Sequence, residues 1–126
     1  MSGGAKLFVA IGAAMAALAV VLGAFGAHAL KARLPADMLA VYHTAVQYHF
    51  WHALGVLAVG LALQLSPEAA WLRTAGWLLT AGIVLFCGSL YLLALTGSKW
   101  LGAVTPLGGV ALILGWVALV VAALRA

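Results

Sequence analysis

Charge is what this chain has least of: its 126 residues include six Lys or Arg and two Asp or Glu, 6% in all. Soluble domains carry about a quarter charged residues, and a chain this short leaves much of its surface exposed. It therefore lacks the polar material to cover a water-soluble fold. Cysteine occurs once, at Cys87, which excludes an internal disulfide and leaves the redox compartment unread. The acids are Asp37 and Glu68 alone. No acid is placed to orient a histidine and no nucleophile elbow occurs, so hydrolysis has no catalytic residue to use. The basic residues are scattered one or two at a time, which excludes a nucleic-acid surface.

What is present is apolar: 67% of the residues are hydrophobic, with a mean hydropathy of +1.23. That composition fits a polytopic membrane protein. The charges cut the chain into uncharged stretches of 24 residues (Leu7 to Leu30), 30 (Met38 to Pro67), 25 (Thr74 to Ser98) and 25 (Trp100 to Leu124). A helix needs roughly 20 apolar residues to cross about 30 Å of hydrocarbon, so four spans fit and a fifth has no material. The runs are apolar all round, where barrel strands alternate. The expected fold is all-α: one domain, residues 1 to 126, with four transmembrane helices in a compact antiparallel bundle. The spans are predicted near residues 7 to 30, 46 to 65, 72 to 96 and 101 to 124, with both termini on one side. The connection from Lys31 to about Ala45 is the longest, and the one around Gly97 to Lys99 is tight. A signal peptide would use Lys6 as its basic region and the small residues 23 to 29 for cleavage, but the apolar run is longer than a signal core needs.

Orientation is not legible. Lys6, Arg73 and Arg125 fall to one side, and Lys31, Arg33 and Lys99 to the other, a tie under the positive-inside rule. The net charge of +4 points to anionic headgroups, so membrane lipids are the first expected partners.

In lipid, helices associate through close packing of small residues. Gly12, Ala16, Ala19, Gly23 and Gly26 recur at alternating steps of four and three along the first span. Gly108, Ala111, Gly115 and Ala118 do the same along the fourth, and Ala122 continues the run. A repeat averaging 3.5 residues keeps a seam facing one partner. The same small-residue stripes allow a homo-oligomer or another membrane protein as partner.

Polar residues gather at one membrane face. Span one ends with His28, Lys31 and Arg33; the approach to span two holds Tyr42, His43, Thr44, Gln47, Tyr48, His49 and His52. Span three ends with Ser89, Tyr91, Thr96 and Ser98, and span four starts at Thr105 and Pro106. If span two starts near Val46, His49 and His52 lie about 5 and 9 Å inside the boundary and share a helix face. Polar groups at that depth usually look inward. The candidate ligand-binding or pore-lining set is His28, Gln47, His49, His52, Ser89, Tyr91 and Thr105. The alternative is that these residues hydrogen-bond to one another to fix the helices, or form an interfacial belt. Three histidines at one level also suit a metal or haem, but the i, i+3 pair is weakly specific, so neither metal nor cofactor is assigned.

At these residues the chain resembles the small membrane proteins of the domain-of-unknown-function family 423, which includes the transmembrane protein 256 group and YgdD-like inner-membrane proteins. The matching blocks are GAFGAHAL at Gly23 to Leu30, QYHFWH at Gln47 to His52, GSLY at Gly88 to Tyr91, Leu95 to Gly97, TPLGG at Thr105 to Gly109, and Gly115-Trp116. The resemblance implies four spans and a multi-pass location in the bacterial inner membrane. It implies no reaction. A small non-enzymatic transport, channel-like or accessory protein with a polar vestibule at one face is the leading expectation. A quinone- or haem-binding redox protein and a membrane assembly factor are the alternatives.

Overall fold

Four helices carry the chain, each long and apolar enough to span a bilayer: α1 (Gly3–Leu30), α2 (Ala36–Leu65), α3 (Ala70–Thr96) and α4 (Lys99–Arg125). They are seen in a computed structural model that describes every residue from Met1 to Ala126. Local chemistry places the ends. The Ser2 hydroxyl accepts a hydrogen bond from the Ala5 N–H at 3.1 Å, capping α1. Gly97 stops α3 with φ of 73°, a left-handed conformation that glycine enters without a Cβ clash. A 3₁₀ turn over Lys99–Ala103 leads into the α-helical stretch of α4, where Pro106 sits in the first turn and loses no hydrogen bond.

The helix of the second span extends beyond the predicted membrane segment. It begins at Ala36, ten residues before the span expected near residue 46, and runs for 30 residues. Counting back from Leu65 by bilayer thickness bounds what lies in hydrocarbon, not where helix starts. Nothing between Asp37 and Ala45 breaks a helix. At about 1.5 Å per residue α2 is roughly 45 Å long, so its first turns stand in the headgroup region. The long first connection therefore shrinks to the few residues around Lys31 to Pro35.

Two antiparallel hairpins, α1 with α2 and α3 with α4, are joined through α2 against α3. Within each hairpin, glycines set the register. A Cβ on Gly12 would lie 2.5 Å from the Leu57 backbone nitrogen, and one on Gly60 would lie 2.6 Å from that of Val9. In the second hairpin, a Cβ on Gly108 would collide with the backbone of Phe86, Gly115 receives the Leu79 side chain, and Gly82 of α3 receives Leu112 in return. Gly108, Gly115 and Ala118 are buried, as are Gly12, Ala19 and Gly26, while Ala16, Gly23 and Ala111 are half-buried. Seven-residue spacing of the notches matches a left-handed antiparallel crossing.

Two π-helical turns interrupt the helices, Gly26–Leu30 at the end of α1 and Ile83–Cys87 inside α3. The second lies against the Gly108 notch, since Phe86 belongs to it.

Leucine at Gly12 or Gly108 would force a pair of closely packed backbones apart. Such overpacking usually costs about 1–3 kcal/mol or more. Thermal unfolding in mild detergent is expected to show a large loss for both variants, and little change for leucine at the exposed Val21 or Val117. Equal stability across the four would contradict the register described here.

Candidate functional site

The end of the bundle where α1 and α3 finish and α2 and α4 begin carries three polar groupings. The first is centred on His49, 3% exposed. Its Nδ1 lies 2.8 Å from the Tyr91 hydroxyl of α3. The Tyr91 ring meets Tyr42 edge-on at 5.4 Å, and the Tyr42 hydroxyl donates to the Leu22 carbonyl of α1. Tyr42 fits here because Gly26 leaves the space: a Cβ there would strike the ring. One line of contacts thus ties α1, α2 and α3. The other His49 nitrogen, Nε2, is buried without a hydrogen-bond partner.

The second grouping follows from the π-turn in α3. A π-turn misaligns the local carbonyl ladder. The Ser89 hydroxyl donates to the Phe86 carbonyl at 2.9 Å and pairs with the Thr105 hydroxyl of α4 at 2.7 Å. Ser89 is 5% exposed. This link latches the start of α4 to α3.

The third is His52, one helical turn beyond His49 and 7% exposed. Its Nδ1 donates to the Tyr48 carbonyl at 2.7 Å, and its ring stacks on Tyr48 at 5.7 Å and 12°. Phe86 lies 4.8 Å from Tyr48, and Trp116 lies 5.7 Å from His52. With Gly109, Leu112 and Ile113 these side chains line a recess of about 270 Å³.

Of the residues singled out from sequence, the structure pairs His49 with Tyr91 and Ser89 with Thr105, and gives His52 a recess of its own. His28 and Gln47 are exposed and join none of these groupings. The histidines do not converge, and no three His, Cys, Asp or Glu side chains are placed to hold a metal ion. Phe86 and Trp116 were missed as site residues because large apolar side chains are ordinary on a membrane helix. The matching block Gly115-Trp116 was the signal that could have found Trp116, whose ring would stand 3.0 Å from a Cβ on Gly55.

A wider recess of about 500 Å³ lies at the opposite end, between the end of α2, the start of α3 and the end of α4. Ala62, Leu65, Trp71, Leu119, Ala122 and Arg125 help to line it. The Arg125 guanidinium stands 5.9 Å over the Trp71 ring, a cation–π geometry. Both recesses draw residues from α2, α3 and α4. Between them, Trp116 of α4 leans on Gly55 of α2.

Residues 22 to 109 match the family described as "Protein of unknown function (DUF423)". The chain belongs to the DUF423 family. It is 52% identical over 120 residues to the UPF0382 membrane protein YwdK of Bacillus subtilis, across 95% of this chain and 98% of that one. A UPF0382 membrane protein of Staphylococcus epidermidis is 47% identical over 121 residues, covering 95% and 97%. One from Staphylococcus saprophyticus is 46% identical over 117 residues, covering 92% and 95%. No solved structure matches the chain. With four helices able to span and relatives that are bacterial membrane proteins, this DUF423 chain is a multi-pass membrane protein of the same kind. The DUF423 match runs from Leu22, which accepts the Tyr42 bond, to Gly109 at the narrow recess, so it contains the first two polar groupings and His52 with Tyr48 and Phe86, while Leu112, Ile113 and Trp116 lie beyond it.

Tyr91→Phe leaves both His49 nitrogens buried and unpaired, which costs about 1–3 kcal/mol. His49→Leu combined with Tyr91→Phe removes both partners and should recover most of that loss. Reversible unfolding in mixed micelles measures both. A neutral Tyr91→Phe would show that the pair contributes nothing to the fold.

Proposed function

We propose that this membrane protein is a non-enzymatic accessory protein that holds amphiphiles drawn sideways from the bilayer. The observation that carries the proposal is the pair of recesses, of about 500 and 270 Å³, lined by α2, α3 and α4, which we read as the two ends of one lateral groove between α2 and α4. Ten of the 13 residues around the larger one are hydrophobic, which suits acyl chains. Its rim carries Arg125 and Glu68, so a headgroup can be met at the membrane surface.

Among the transport, channel-like and accessory roles, the packing favours the accessory one. His49, Ser89 and Thr105 are bonded to neighbouring helices, so these side chains hold the bundle together rather than line an open vestibule.

Native mass spectrometry of the chain released from mild detergent tests the proposal. Wild-type protein is expected to retain lipid-sized mass. Ala122→Trp, which fills the larger recess, should weaken retention about tenfold or more, while Val21→Leu should not. Bare wild-type protein, or retention indifferent to Ala122→Trp, would overturn the proposal. Ion flux through liposomes that depends on this chain would instead carry the channel-like role.

A further inference from the structure

The narrow recess differs from the wide one in having a polar atom of fixed character. His52 Nδ1 lies 2.7 Å from the Tyr48 carbonyl, and a carbonyl accepts only, so Nδ1 bears the proton. In the neutral imidazole the other nitrogen, Nε2, is then a bare acceptor. His52 lines the recess, is more than nine-tenths buried, and makes no hydrogen bond through Nε2 within the protein, its one bond running from Nδ1. Water is scarce at that place: counted from Leu65, a hydrocarbon core of about 30 Å reaches to Val46, and His52 is about 9 Å inside it.

The surrounding walls are aromatic. Tyr48, Phe86 and Trp116 stand around the histidine, with Gly109 leaving room beside Phe86, and none of the seven lining residues is charged. Aromatic faces attract cations as well as flat rings, so depth has to decide between them. An ammonium headgroup would surrender its hydration about 9 Å inside the hydrocarbon with no anion beside it, which is costly. A neutral ring loses nothing comparable. Its donor must complement an acceptor nitrogen, and the hydroxyl of a phenol supplies one on an otherwise apolar ring.

We propose that the recess formed by Tyr48, His52, Phe86, Gly109, Leu112, Ile113 and Trp116 binds the head of a lipid-soluble hydroquinone or related phenol, whose hydroxyl donates to His52 Nε2. The proposal rests on the accessory, amphiphile-holding role given above and specifies the ligand class for one end of the groove. It also sets a preference between redox states. A quinone offers carbonyl oxygens alone, so it meets Nε2 acceptor against acceptor, whereas the reduced form supplies the missing proton. Tyr48 has a hydroxyl that can turn to donate or accept; His52 has no such freedom while Tyr48 holds its Nδ1 proton. Binding alone is proposed, with no electron transfer to the protein.

The test uses the whole chain in phosphatidylcholine nanodiscs, titrated anaerobically with a short-chain isoprenyl hydroquinone, its dimethyl ether and the corresponding quinone. Bound mass is followed by native mass spectrometry, and the histidine nitrogens by ¹⁵N resonance. The hydroquinone is expected to bind at one per chain, about tenfold or more tighter than the ether or the quinone, and to shift the Nε2 resonance of His52. His52→Phe keeps a ring for stacking and should erase the discrimination, and its unfolding curve reports whether the fold survives. Equal binding of the three compounds, or full discrimination by a folded His52→Phe, overturns the inference. If phospholipid retention in the wide recess persists in that case, the amphiphile-holding role stands and the ligand class alone falls. Loss of both removes the role as well.

Discussion

The structure depends on one constraint: inside a bilayer the apolar surface of a helix gains nothing by leaving lipid for another helix, so association rests on how closely backbones can approach. This chain meets it with notches. Gly12 and Gly60 bring α1 and α2 together, and Gly108, Gly115 and Gly82 do so for α3 and α4. Each notch accepts a named residue of the partner, so each hairpin has one register. Because α2 and α4 are held by different partners, they stand beside one another without closing, and a groove remains between them.

The same constraint explains the polar residues. A hydroxyl or imidazole inside hydrocarbon needs a partner, and the seven-residue glycine spacing decides which partners are in reach. Tyr42 reaches the Leu22 carbonyl because Gly26 makes room for its ring. Ser89 reaches Thr105 because the Gly108 notch draws α4 onto the π-turn of α3. His49 is satisfied at one nitrogen and orphaned at the other. His52 bonds through Nδ1 alone, and its ring lines the narrow recess.

Much of this was legible in the sequence, for physical reasons. Long uncharged runs can hardly be anything but spans, so four helices and their antiparallel order follow from the eight charged positions. The seams of α1 and α4 show as a 3.5-residue repeat because both ride on one partner helix. Gly60 and Gly76 escaped notice: they receive the Val9 backbone and the Phe8 ring, but no small-residue repeat surrounds them. The first connection was drawn too long because hydrophobic length measures the bilayer and not the helix, which starts at Ala36, ten residues before the expected span. Gathering His28, Gln47, His49 and His52 by membrane level placed them at one height but said nothing of direction. His28 and Gln47 face outward, and only interhelical register decides that.

The central claim is that the α2–α4 groove is open to lipid. A photo-activated benzophenone side chain at Ile113, which lines the narrow recess, tests it in native membranes. The account predicts that illumination attaches lipid-sized mass at that position. Cross-linking of most of the probe to another polypeptide, or to a second copy of the chain, would contradict it, because the groove would then be a covered protein interface.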